Sequence, residues 1–261
     1  VIGIDFGFGA IEEELWRLVF AMTRIGAALL AAPLFGATSV PVQLRVAIAG
    51  ALGIMVCAWT PLTPPPALLS ATGLVTILRE VAIGLSLGFV LQLSFAAPVI
   101  AAELIGGTMG MGIATAVDPQ TGANSPALGQ FFTVVLTLVF LALGAHLQWL
   151  ALLVRSYETF PPGAPWFEPA RMGEIAGYGT QMLATAVAIA LPVTLVLLLV
   201  QVLTGVLSRS APALNLFALG LPAGVLAGLA ALILAMPVVT EQFITLSGSM
   251  IEQAASVVTP R

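Results

Sequence analysis

Four charged residues stand where this chain can least tolerate charge. Arg24, Arg79, Glu80 and Glu103 lie within or at the ends of long apolar runs. A charge at the bilayer centre costs roughly 2.5–3.5 kcal/mol on insertion scales, so groups placed there must face protein or water. Two chemistries are open to them: a polar path through the apolar layer, or ion pairs between helices. Arg79 and Glu80 are adjacent, and neighbours on a helix point in different directions, so they are not aimed at each other. Catalytic sets are scarce. His146 is the only histidine and there is no lysine. This removes His-based metal clusters, argues against a Ser-His-Asp triad, and leaves the chain alone neither a P-loop nor a Schiff-base mechanism. His146, in GAHLQW, is expected near a helix end as a hydrogen-bonded interface residue, with a proton-relay role as the alternative. Cys57 is the sole cysteine and cannot form an intrachain disulfide. No cofactor and no metal are expected.

A second stretch is chemically distinct. Residues 106–126 read GGTMGMGIATAVDPQTGANSP, between two of the most apolar runs in the chain. Gly106, Gly107, Gly110 and Gly112 surround Met109 and Met111, and flexible thioethers among glycines suit a compliant seal. Asp118-Pro119 favours the start of a turn, which Gly122 and Ala123 continue. In hydrocarbon, non-helical backbone survives only where protein buries it or water reaches it. The stretch is therefore either a plain extramembrane loop or irregular backbone lining a cavity.

The elements that must position these residues are membrane helices. Hydrophobic residues make up 59% of the 261 and charged ones only 8%, against about a quarter charged in soluble domains. Such a chain cannot cover its surface with polar groups in water. The expected fold class is an all-α integral membrane protein of one helical domain. Six apolar segments reach the roughly 20 residues that cross a bilayer: 15–35, 42–60, 74–104, 127–154, 182–207 and 214–239. A seventh stretch, 240–258, has the spacing of a C-terminal amphipathic helix. Pro-rich links at 60–66 and 161–169 separate segments, and Trp166 and Phe167 in the second suit a membrane interface. The acidic residues Asp5, Glu12, Glu13 and Glu14 are unlike the positive flank of a signal peptide, so targeting by the apolar segments is expected. The net charge is −4 with the arginines scattered, so no tract for nucleic acid exists.

Small residues recur four apart at Gly84 and Gly88, Gly106 and Gly110, and Gly220, Gly224 and Gly228. Such ridges let helix backbones approach closely, within one chain or between subunits. Pro98, Pro192, Pro222 and Pro237 fall inside apolar runs and are expected to bend or break them, arranging the segments as kinked hairpins.

AELIGGTMGMGIATAVDPQTGANSPALGQF resembles the signature of the FliR family, the R subunit of the flagellar type III export gate, whose virulence-system counterpart is the SctT family. TRIGAALLAAPLFGATSVPVQLR at 23–45 is similar to the family's first hairpin, with Arg24, Pro33, Pro41 and Arg45 in place. REVAIGLSLGF at 79–89 and GAHLQWLALLVRSYETFPPG at 144–163 supply further elements, and RSAPALNLFALGLP at 209–222 matches at Arg209, Pro212, Asn215 and Phe217. One departure is Gly107-Thr108, where the family more usually carries a larger apolar residue and Gln.

The resemblance implies a non-enzymatic subunit of the bacterial inner membrane at the flagellar basal body, in a conical complex raised toward the periplasm. Implied partners are P-type and Q-type subunits (FliP and FliQ like), FlhB-like and FlhA-like export components, membrane lipid and unfolded export substrates. It implies a P-like part over about 1–180, including the 105–126 loop, and a Q-like hairpin over about 181–261. The loop matching Gly106–Ala123 is implied to project into the channel and plug it. The rival class is a small-solute secondary transporter, which would place discontinuous helices in corresponding halves of the chain; no paired halves are visible. A lipid-modifying enzyme is more distant, since no set of acid, base and nucleophile is present.

Overall fold

The computed structural model describes residues 10–62, 70–110, 127–162, 164, 166, 168–210 and 216–259. Among these the chain is helical and contains no strand: α1 Ala10–Ala31, α2 Val42–Trp59, α3 Ala71–Thr108, α4 Ala127–Ala142, α5 Ala145–Thr159, α6 Pro169–Ser210 and α7 Leu216–Val258. Helices α2, α3, α6 and α7 are long and apolar enough to cross a membrane, and α4 with α5 add a fifth if counted as one broken span. The chain is an all-α, multi-pass membrane protein.

The segments differ from expectation in ways that have physical causes. The run 127–154 is two helices, interrupted where Gly144 takes a φ of +66°. The stretch 240–258 is the second half of α7 rather than a separate helix. α1 carries Glu14, Arg17 and Arg24, and these charges keep it out of the set of apolar spans. None of the four internal prolines ends a helix; α3, α6 and α7 continue through them. In apolar surroundings a freed carbonyl has no water to turn to, so the helix is kept and adjusts locally. At 38, 42 and 43 residues, these three helices are each about twice as long as a hydrocarbon core is thick.

By packing, the described residues fall into two compact units. One gathers those up to Leu93, Gly144–Tyr178 and those from Ser249 on; the other gathers Ser94–Leu143 and Gly179–Gly248. This grouping by contact is a different kind of division from the P-like and Q-like parts, which concern resemblance to other subunits.

In the first unit α1 packs on α2. The turn between them is closed by Arg45, whose Nη2 donates to the carbonyls of Ala37 (2.5 Å) and Val40 (3.0 Å). α3 lies against α1 through its small ridge. A Cβ at Gly84 would collide with the Arg24 carbonyl oxygen and the Ala28 amide, and one at Gly88 with the Ala28 carbonyl and Ala31. These neighbours are largely backbone and cannot swing aside. Gly88→Val is therefore expected to separate α3 from α1 and cost about 1–3 kcal/mol, read as a lower thermal midpoint of the complex purified with its partner subunits.

α5 buries Trp149, Leu153, Ser156 and Tyr157, a stripe at helical spacing. The Trp149 indole N–H donates to the Leu87 carbonyl at 3.3 Å and its ring stacks on Phe35. Trp166, which its sequence suits to a membrane interface, is packed within the chain. It is 1% exposed and donates to the Val257 carbonyl at 3.3 Å, where Arg171 Nη1 also donates at 2.6 Å. Two side chains thus satisfy a carbonyl at the end of α7 that no further helical turn would reach. In the second unit, Phe132 meets Phe243 and Phe140 meets Phe95 edge-on, each with ring centroids 5.6 Å apart, a favoured aromatic geometry.

Candidate functional site

The glycine-rich stretch begins as helix. Gly106, Gly107 and Thr108 are the last residues of α3. The Met109 amide still donates to the Ile105 carbonyl at 2.9 Å, and the Gly110 amide to Gly107 at 3.1 Å. Gly110 then takes a φ of +83°. This left-handed conformation is one that L-residues reach only with strain, and it ends a helix cleanly. Thr108, at the departure from the family pattern, turns its Oγ1 back onto the Ile105 carbonyl at 2.8 Å. Its own carbonyl accepts from Gln201 Nε2 on α6 at 2.7 Å.

Met109 is 3% exposed. Its Cγ, Sδ and Cε occupy the space a Cβ at Gly228 would need, and its carbonyl oxygen lies 3.1 Å from a Cβ built on Gly224. The ridge on α7 is thus used at two of its three positions; among the described residues nothing lies within 4 Å of a Cβ at Gly220. Met111, Gly112, Asp118, Pro119, Gly122 and Ala123 lie outside the described residues.

The intramembrane charges separate into different environments. Arg24 is fully buried and Glu80 is 1% exposed. Their contact is bidentate: Arg24 Nε donates to Glu80 Oε2 at 2.8 Å, and Nη2 to Oε1 at 3.0 Å. The remaining guanidinium hydrogens reach the end of α5. Nη1 donates to the Ser156 carbonyl (2.6 Å) and hydroxyl (3.0 Å), and Nη2 to the Phe160 carbonyl (2.8 Å). All five donors of the guanidinium fork have acceptors. The Tyr157 ring lies under it, 4.1 Å from the guanidinium carbon, and the Tyr157 hydroxyl donates to the Ala21 carbonyl at 2.5 Å. One buried arginine therefore ties α1, α3 and α5 together.

Arg79 is half-buried and Glu103 exposed. Among the described residues the expected ion pairing is seen for Arg24 with Glu80. Arg209 is exposed near the end of α6. Pro212 and Asn215 lie outside the described residues, and Phe217 stands in the first turn of α7. His146 sits in the first turn of α5, and its buried Nδ1 meets no hydrogen-bonding group among the described residues. Among those residues no three His, Cys, Asp or Glu groups come together as a metal would need.

Two residues central to this geometry had little to mark them. Gln201 is a single amide in the run LVLLLVQVLTGVL, and only that isolation among aliphatic side chains singles it out. Arg171 sits at a helix start in an ordinary mixed sequence, and its contact with Val257 joins positions 86 residues apart.

Residues 15–250 match the family model described as bacterial export proteins, family 1. The flagellar biosynthetic protein FliR of Pectobacterium carotovorum is 30% identical over 229 residues, 88% of this chain and 86% of the relative. FliR of Bacillus subtilis is 32% identical over 219 residues, 83% and 84% of the two chains. The surface presentation of antigens protein SpaR of Shigella flexneri is 34% identical over 145 residues, 55% of each. With the family model covering nearly the whole chain, this protein belongs to the bacterial export proteins of family 1.

Proposed function

We propose that this chain is the R-type subunit of the inner-membrane export gate of a type III secretion apparatus, of the flagellar kind, and that unfolded proteins pass through the channel it helps to form. The observation that carries this reading is the continuous match to flagellar biosynthetic proteins over more than four-fifths of the chain, joined by a shorter match to a surface presentation of antigens protein. The chain acts without catalysis; energy comes from other components. It assembles with P-type and Q-type subunits and with FlhA-like and FlhB-like components at the basal body, in a complex raised toward the periplasm. Its 1–180 part is P-like and its 181–261 part Q-like. The segment Gly106–Ala123 closes the channel at rest.

The surface supports a life among other subunits. On α6, Leu195, Leu198, Leu199, Val202 and Leu203 are all exposed, and so are Leu226, Ile233 and Leu234 on α7. Apolar faces of this extent must be covered by lipid tails or by protein. Expressed with P- and Q-type partners, the chain is expected to co-purify with them in one stable complex in detergent. Expressed alone, it is expected to be degraded or aggregated. A well-behaved monomer that moves a small solute into proteoliposomes would overturn the reading in favour of a transporter.

A further inference from the structure

We propose that Gln201, together with Gly224 and Gly228, is a positioning device for the channel-closing segment: a fixed clasp that holds the end of α3, so that the chain beyond Gly110 departs from one defined point. The inference rests on the reading of Gly106–Ala123 as the resting closure, and adds to it the residues that hold its stem.

Three observations converge on the clasp, all in one packed unit. The first is the cap. The Thr108 carbonyl is among the last four of α3, which have no partner further along the helix, and Gln201 Nε2 supplies one at 2.7 Å. The bond is exposed within this chain, so it contributes as an ordinary hydrogen bond does. The second is the cradle. Met109 is 3% exposed because Gly228 has no side chain, and the Met109 backbone can approach α7 because Gly224 has none. The ridge is not merely a stripe of small residues, since the side chain filling it is identified. The third is the joint. Helical hydrogen bonding runs through Met109, and the left-handed φ of +83° falls at Gly110, immediately beyond the clasped residue. Rigid helix therefore stops one residue after its anchor.

This arrangement has a mechanical consequence. A closing segment rooted in a wandering helix end would seal poorly, because displacement of the root carries the whole segment with it. Rooted at a residue held by one amide and a shaped groove, the segment leaves the helix from a fixed position. Gln201, Gly224 and Gly228 would then affect resting tightness while having no part in the closing segment.

The test uses the complete complex with its partner subunits, in cells, reading potassium leak across the inner membrane while export is idle. Gln201→Leu removes the donor and keeps an apolar body of similar size. It is expected to raise idle leak about fivefold, the effect of losing one ordinary hydrogen bond. Gly228→Val evicts the Met109 side chain and is expected to raise leak roughly tenfold or more, as overpacking does. Combining Gly228→Val with Met109→Ala gives the new side chain room and is expected to remove most of that increase. This rescue would not follow if Gly228→Val acted by general misfolding. In a Cys57→Ser background, Met109→Cys with Gly228→Cys should cross-link on mild oxidation of the assembled complex, seen by peptide mass. Absence of the cross-link overturns the clasp. So does unchanged idle leak in both Gln201→Leu and Gly228→Val, provided that deleting 111–123 does raise it. If that deletion also leaves the leak unchanged, it is the closure reading that fails.

Discussion

Arg24→Leu is expected to abolish accumulation of the assembled chain, lowering the folded fraction by about 3–5 kcal/mol, or roughly a hundred- to several-thousand-fold. The geometry explains the size. The substitution strands Glu80, 1% exposed, with no counter-charge, and leaves the Ser156 and Phe160 carbonyls without their donor. Replacing both charges with apolar residues, as in Arg24→Met with Glu80→Leu, is expected to recover part of the loss, since a buried pair is often replaceable by well-packed hydrophobic side chains. Recovery stays incomplete because the two carbonyls remain unmet. If only the pairing of opposite charges mattered, exchanging the two would recover part of the loss. The structure argues otherwise: a carboxylate at position 24 would face the carbonyl oxygens of Ser156 and Phe160, acceptors set against an acceptor. The exchange should therefore recover less than the apolar pair. The measurement is the amount of chain co-purifying with its partner subunits, with the thermal midpoint of the complex beside it. Normal assembly of Arg24→Leu would mean that water reaches the charges and the cluster is no structural keystone.

Deleting residues 111–123, with Met109 and Gly110 kept, is expected to leave the complex assembled and leaking. A resting channel must block ions and yet admit an extended polypeptide, so closed and open states differ by only a few kcal/mol. A minor state at that height is populated at about 0.1–10%, so removing the closure should raise idle conductance roughly ten- to a thousand-fold. Retaining Met109 matters because it is packed against Gly228. A longer deletion from Gly106 would remove the last turn of α3 as well and confuse leak with misassembly. Met109→Ala is expected to leak less than the deletion, since the segment itself remains. Gly110→Val should strain the joint, where φ is +83°, and slow export without raising leak. Ion uptake in cells holding each assembled variant distinguishes these outcomes. Unchanged resting leak in the deletion would reduce the stretch to a connecting loop.

Hydropathy and composition by themselves determined that this is a multi-pass helical membrane protein with one histidine and no lysine, because both follow from counting side chains along the chain. The order of the short motifs determined the family for the same reason. Local sequence also marked Gly84 and Gly88 as a packing ridge and Arg24 and Glu80 as charges in need of partners. It could not choose among the partners. Arg24 and Glu80 are 56 residues apart, and Arg24 and Phe160 are 136 apart. Which charge meets which depends on the rotation and register of three helices, quantities that no local pattern carries. The same holds for Glu103, similar in sequence setting to Glu80 yet exposed. It holds for the three glycines of α7, alike in spacing, of which two receive Met109 and the third meets none of the described residues. Gln201 shows the limit most plainly. A lone amide in an apolar run stands out in the sequence, and only the packed structure places the Thr108 carbonyl within 2.7 Å of it.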